Sequence, residues 1–297
     1  MRSVLAALLL TLAAGPALAH SVDPAAPPGW TLDLWITGPL ALAAGLFGLG
    51  FARLAGRSRT GAASLRRRGL LFAAGWSVLT LAVVSPLHQL GERSFTAHML
   101  EHELMMLLAA PLMVLAEPLA VMLWAFPAPA RRAIGGWSRS GAVQRPWRTL
   151  VDPVVATLAQ AAALWLWHAP ALFDRALAHE GWHVAQHLSF LVTALLFWSA
   201  MLHGRQRSRN YGPAALCLFA TSVVSGALGA FMAFSESPWY PRYEAMGLAP
   251  LGLSPTEDQQ LAGLLMWVPG GLVHAVAALA LVGLALRDHG PEAAHAP

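Results

Sequence analysis

The chain has 297 residues, of which 57% are hydrophobic and 11% charged. Soluble domains carry about 25% charged residues, so this composition, with a mean hydropathy of +0.54, excludes a disordered chain, a coiled coil and an ordinary water-soluble enzyme. The net charge of +4 rests on basic residues that are all arginine and cluster in short groups, which in so apolar a chain are topology signals rather than a nucleic-acid surface.

From the N-terminus, residues 1–19 form a signal peptide: Arg2, an apolar stretch too short to span a bilayer, then Ala17-Leu18-Ala19 as cleavage site. A periplasmic segment, 20–30, follows. Apolar runs of membrane-spanning length then recur seven times, near 31–52, 69–87, 94–125, 151–170, 181–202, 211–235 and 258–286. The third is long and carries Pro111 and Pro118, which predicts a kink or a break with re-entry. The tail, 288–297, is rich in Ala, Pro and His and is expected to be disordered.

The arginines set the direction. With the start outside, the first, third and fifth connections face the cytoplasm, and they hold Arg53 to Arg68, Arg131 to Arg148 and Arg205 to Arg209. With Arg287 that places fifteen of nineteen arginines inside, and only Arg93, Arg175 and Arg242 fall in outer connections. The fold class is therefore all-α: a polytopic membrane protein of seven transmembrane helices, 31–287, N-terminus out and C-terminus in.

Direction gives every histidine a depth. Seven of the twelve, His88, His98, His102, His168, His179, His183 and His187, fall in or just above the outer half of the membrane. His98 with His102, and His183 with His187, are i, i+4 pairs that put two imidazoles on one helix face, a spacing that can chelate one transition metal. Polar groups inside a membrane are costly and mark function; Glu101 and Glu103 interleave with the first pair. Thioethers, Met99 and Met105 foremost, share the helix. Imidazole with thioether suits copper, as Cu(I), with zinc the competitor. The metal candidates are thus His98, His102, His183, His187, His168, Met99, Met105 and Glu101.

Plainer readings stand beside these. A histidine in a loop, such as His88 or His179, needs no special explanation. His168 can serve as a polar cap beside Trp165 and Trp167, and methionines often only fill space. His274 follows Pro269-Gly270-Gly271, where a bend frees a carbonyl for it to bond.

Three blocks carry a family resemblance. They are Ala97-His98-Met99-Leu100-Glu101-His102 running on to Pro111-Leu112, then Trp167-His168-Ala169-Pro170 with His183, His187 and Phe197-Trp198, and finally Asp258-Gln259-Gln260 with Met266-Trp267-Val268-Pro269-Gly270. Together they resemble the seven-helix CtaG family of cytochrome c oxidase assembly factors, from about Trp30 to Arg287. A one-anchor family of the same name uses a Cys-x-Cys copper site, which this chain with its single cysteine lacks. The resemblance implies a multi-pass protein of the bacterial inner membrane that is not an enzyme and handles copper on the periplasmic side. Its partners would be terminal oxidase subunits, a periplasmic copper donor and membrane lipid, with neither nucleic acid nor a small-molecule substrate. Two alternatives stay open: an integral-membrane zinc-dependent hydrolase with Glu101 or Glu103 as base, and a b-type haem protein with axial histidines from two helices.

Overall fold

A computed structural model describes residues 27–57, 61–203 and 211–288. The expected signal segment 1–19, most of the segment 20–30 and the tail beyond Asp288 lie outside the described residues. Among the described residues six helices are long and apolar enough to cross a membrane: α1 (Leu34–Ala55), α2 (Ala62–Val84), α4 (Phe95–Ala116), α10 (Glu180–His203), α11 (Gly212–Ala233) and α13 (Pro255–Arg287). They correspond to the first, second, third, fifth, sixth and seventh expected runs. α2 starts about two turns earlier than expected because Arg66, Arg67 and Arg68 sit inside its first turns, where long basic stems can lie along an apolar helix.

The fourth run departs from expectation. It holds α8 (Pro153–Trp167), only 15 residues long, bent by 67° from the preceding α7 (Gly141–Leu150). At about 1.5 Å per residue α8 falls short of a full hydrocarbon core, so a seventh span is reached only by counting this bent pair. Its start is set locally: the Asp152 carboxylate accepts from the Val154 and Val155 amides at 3.0 and 3.2 Å, and Pro153 occupies the first position. In the same connection α6 (Ala128–Ser138) joins α7, and neither buries a residue. Both carry arginines with exposed Trp137 or Trp147, the pattern of helices lying in a membrane interface.

The third run breaks at Glu117, directly before Pro118, as the proline leads one to expect. Glu117 is the only non-glycine with positive φ among the described residues (47°), and it precedes Pro118, which opens the short α5 (Pro118–Met122). Arg68 holds the Glu117 carboxylate at 2.6 Å, and Arg53 donates to the Trp124 and Ala125 carbonyls at 3.2 and 2.7 Å. Arg131 stacks over Trp124 at 3.9 Å. The arginines thus gather at the end of α4 opposite its histidines.

Pro111 does not break α4. Leu104–Ala109, immediately before it, is a π-helical segment, and a second one, Met266–Gly270, contains Pro269 in α13. A π turn widens the ring by one residue, which accommodates the missing proline donor inside a continuing span. The α11 and α13 backbones touch where glycine leaves room: a Cβ on Gly263 would lie 2.5 Å from Ala233 N and from Gly229 O. Gly263→Ala is expected to cost about 1–3 kcal/mol by forcing these helices apart, visible as a lower unfolding temperature in detergent; an unchanged temperature would show that the contact yields freely.

Candidate metal centre

The helix starts position the site. Ser85 caps the short α3 (Pro86–Gly91), its Oγ accepting from Leu87 N at 3.3 Å, and Pro86 takes the first position. Ser94 caps α4 in the same way toward Ala97 N at 3.3 Å. A third group reaches this end from far along the chain. The Asp258 carboxylate accepts from Ser94 Oγ at 2.8 Å, Phe95 N at 2.6 Å and Thr96 N at 3.2 Å. It thereby satisfies first-turn donors and sets a negative charge against the positive end of α4. One turn later comes His98.

The two histidine pairs face each other. Ring centroids are 4.4 Å apart for His98 and His102, and 4.3 Å for His183 and His187. Across the helices His98 lies 5.3 Å from His183, and His102 lies 4.8 Å from His187. Ring nitrogens of His98, His183 and His187 lie within 4.8 Å of one another. Nitrogens sharing one tetrahedral ion at roughly 2.0–2.1 Å sit about 3.4 Å apart, a gap that small side-chain rotations can close.

Glu101 is wholly buried beneath this cluster. Its Oε1 accepts from His88 Nδ1 at 2.8 Å and lies 3.5 Å from His187 Nδ1. His88, carried inward by α3, stacks on His183 with centroids 5.2 Å apart. Burial alone lowers the His88 pKa, but the hydrogen bond and charge of Glu101 outweigh it and hold it above 6.5.

Unpaired atoms test whether the residues fit an ion. Both ring nitrogens of His98 and of His102, Nε2 of His183 and of His187, and Oε2 of Glu101 are buried without a hydrogen-bond partner. Each such orphan costs about 1–3 kcal/mol, and a cation shared among imidazole lone pairs and a carboxylate relieves several at once. The residues therefore fit a transition-metal ion bound by imidazole, with Glu101 at its side.

His168 and Met99 form a separate pair. His168 Nδ1 donates to Leu164 O at 2.7 Å, so Nε2 keeps its lone pair, and that lone pair faces Met99 Sδ at 3.3 Å. Two soft donor atoms meet with no proton between them. Met105 is buried in the π segment, within the apolar core. His203 lies at the arginine end, 3.7 Å from Glu117. Glu103 and His274 belong to another cavity, described below.

An aromatic plug closes one side of the cluster. Tyr240 and Tyr243, the latter on α12 (Pro241–Met246), pack on Phe95 and on Phe173 of α9 (Pro170–Ala178); their hydroxyls donate to the carbonyls of His168 at 3.1 Å and Gly91 at 2.5 Å. His98 and His102 are sealed, whereas His187 and His88 keep 12% and 11% of their side chains exposed. The cluster therefore opens past α10 and α3.

Sequence reasoning missed His88 as a member and the trans cap by Asp258. The Ser85-Pro86 helix-start signal was available for the first; for the second only proximity in space speaks. We expect His88→Ala to weaken metal binding at the cluster about 10–100-fold, the range for groups that orient a ligand shell, as measured by chelator competition. Unchanged affinity would reduce His88 to packing.

Comparison with known protein families matches residues 45–288 to the cytochrome c oxidase caa3 assembly factors. Neither a curated protein nor a solved structure matches the chain. The matched stretch contains all of α2 to α13 and hence every histidine of the cluster. The chain belongs to the family of cytochrome c oxidase caa3 assembly factors.

Proposed function

We propose that the chain supports assembly of a haem–copper oxidase by holding copper, as Cu(I), in the histidine cluster and yielding it to an oxidase subunit. The observation that carries this reading is the convergence of His98, His183 and His187, with buried ring nitrogens that lack other partners. Copper is the cargo here, so its ligands must be exchangeable. Imidazoles from two helices, opening on one side, suit handover better than a closed thiolate cage does. In this reading the chain lies in the bacterial inner membrane, its signal segment removed and the cluster on the periplasmic side. A periplasmic donor loads the ion past His183 and His187. The facing pair His168 and Met99 offers a softer second position within the same layer.

The test is anaerobic Cu(I) loading of the detergent-purified protein, then desalting and metal analysis. Wild type is expected to hold one equivalent more than His98→Ala/His102→Ala. Equal retention would overturn the assignment. Glu101, beside His88 and His187, favours a second reading as a zinc-dependent hydrolase, in which it would act as base toward a zinc-bound water. Zinc retention together with amide or ester hydrolysis lost in Glu101→Gln would decide for that reading.

A further inference from the structure

Four helices, α4, α8, α11 and α13, meet at a second polar cavity, on the face of α4 away from the cluster. Its volume is about 40 Å³, and Glu103, Met106, Gln160, Ser225, Gly270 and His274 help to line it. That volume holds one water or one ion. The hydroxyls of Thr157, Thr221 and Ser225 in its wall donate to backbone carbonyls, so they leave the remaining acceptors unserved. His274 Nδ1 donates to Gly270 O at 2.9 Å, which leaves Nε2 as a bare lone pair. That Nε2, Gln160 Oε1 and Glu103 Oε2 are all buried without a partner. His274 is 3% exposed and Gln160 6%. Three acceptors converge on one small space, and acceptors alone do not satisfy one another.

Both π-helical segments border this cavity: Met106 belongs to the first and Gly270 to the second. π turns recur at functional sites because they redirect a side chain without ending the helix. The glycine is needed for space as well. A Cβ on Gly270 would lie 3.0 Å from Glu103 Oε2.

We infer that this cavity is a second, inner copper site, binding Cu(I) through His274 Nε2, a Glu103 carboxylate oxygen, Gln160 Oε1 and the Met106 thioether. Imidazole and thioether select a soft transition ion over an alkali cation. A single carboxylate in an apolar wall balances one positive charge, whereas a divalent ion would leave an uncompensated charge inside the membrane. Glu103 follows His102 directly, so the two sites share one helix and lie on different faces of it. The inner site stands on its own residues and does not require that the outer cluster bind metal.

Anaerobic Cu(I) titration of the full-length detergent-purified protein against a competing chelator tests the inference. Wild type is expected to bind one equivalent more than His274→Ala. Gly270→Ala, which removes no ligand but places a methyl group against Glu103, is expected to weaken that same equivalent at least tenfold. Both variants should keep the equivalent that His98→Ala/His102→Ala removes, and that retained copper shows that they fold. X-ray absorption of the outer-cluster variant should then show mixed nitrogen, oxygen and sulfur ligation. Identical stoichiometry and affinity in wild type, His274→Ala and Gly270→Ala would overturn the inference and leave a water-filled cavity. Loss of all copper in both inner variants would overturn it too, because the two sites would then be one.

Discussion

Cells whose only copy of this protein carries His98→Ala and His187→Ala are expected to lose about 90% or more of their copper-dependent oxidase activity, while the variant remains in the membrane at its normal level. The expectation follows from the ligand count: two of the three convergent imidazoles are gone, and a loss of even 1.4 kcal/mol in ion affinity is already about tenfold. Truncation also removes three buried unpaired atoms, both ring nitrogens of His98 and Nε2 of His187, from the apolar interior, so the fold should not suffer for it. Spectroscopy of membranes would show haem inserted and the copper signature missing. Excess copper in the medium should restore part of the activity by mass action. His203→Ala, at the arginine end of the bundle, serves as the control and should leave activity intact. Full activity in the double variant would remove the cluster from function altogether.

Asp258→Ala is expected to be the most damaging single change to stability. Its carboxylate takes hydrogen bonds from Ser94 Oγ, Phe95 N and Thr96 N, all at the start of the histidine-bearing span. Without it these donors are stranded in a buried position away from water. Breaking a buried charged network of this kind costs about 3–5 kcal/mol, and in a chain of this size that lowers the melting temperature by roughly 6–20 °C. Asp258→Asn, which keeps an acceptor oxygen but no charge, should recover about half of the loss. Because the first turn of α4 aims His98, copper affinity should fall in parallel with stability. A melting temperature within a degree or two of wild type would show that Ser94 alone suffices as the cap.

Much of this arrangement is written in short-range patterns. Twenty apolar residues specify a span wherever they occur, so six spans were legible from hydropathy. The i, i+4 spacing of His98 with His102 and of His183 with His187 specifies shared helix faces before any packing is known. Features that depend on packing between distant segments were not legible. His88 stands in a connection, and only the fold-back of α3 brings it to Glu101. Asp258 and Ser94 are far apart in the chain, as are Glu103, Gln160 and His274, so no spacing announces their meeting. The fourth run, expected at 151–170, holds a helix over Pro153–Trp167, but its pairing with α7 across a 67° bend was not legible. The arginine-rich third connection was read only for its charge, and the tryptophans that make it amphipathic were passed over.

The π turn in α4 divides that span into two halves whose angular settings are independent. An uninterrupted α-helix fixes every face by a constant rotation of about 100° per residue, so turning one end would turn the other. With the extra residue of Leu104–Ala109 between them, the first half turns His98 and His102 toward His183 and His187 while the half that begins at Ala110 packs against both α2 and α10. Deleting one residue from that segment should therefore restore a regular helix and rotate one half against the other by about a quarter turn. It would uncouple the clustered histidines from the rest of the bundle without changing any of them.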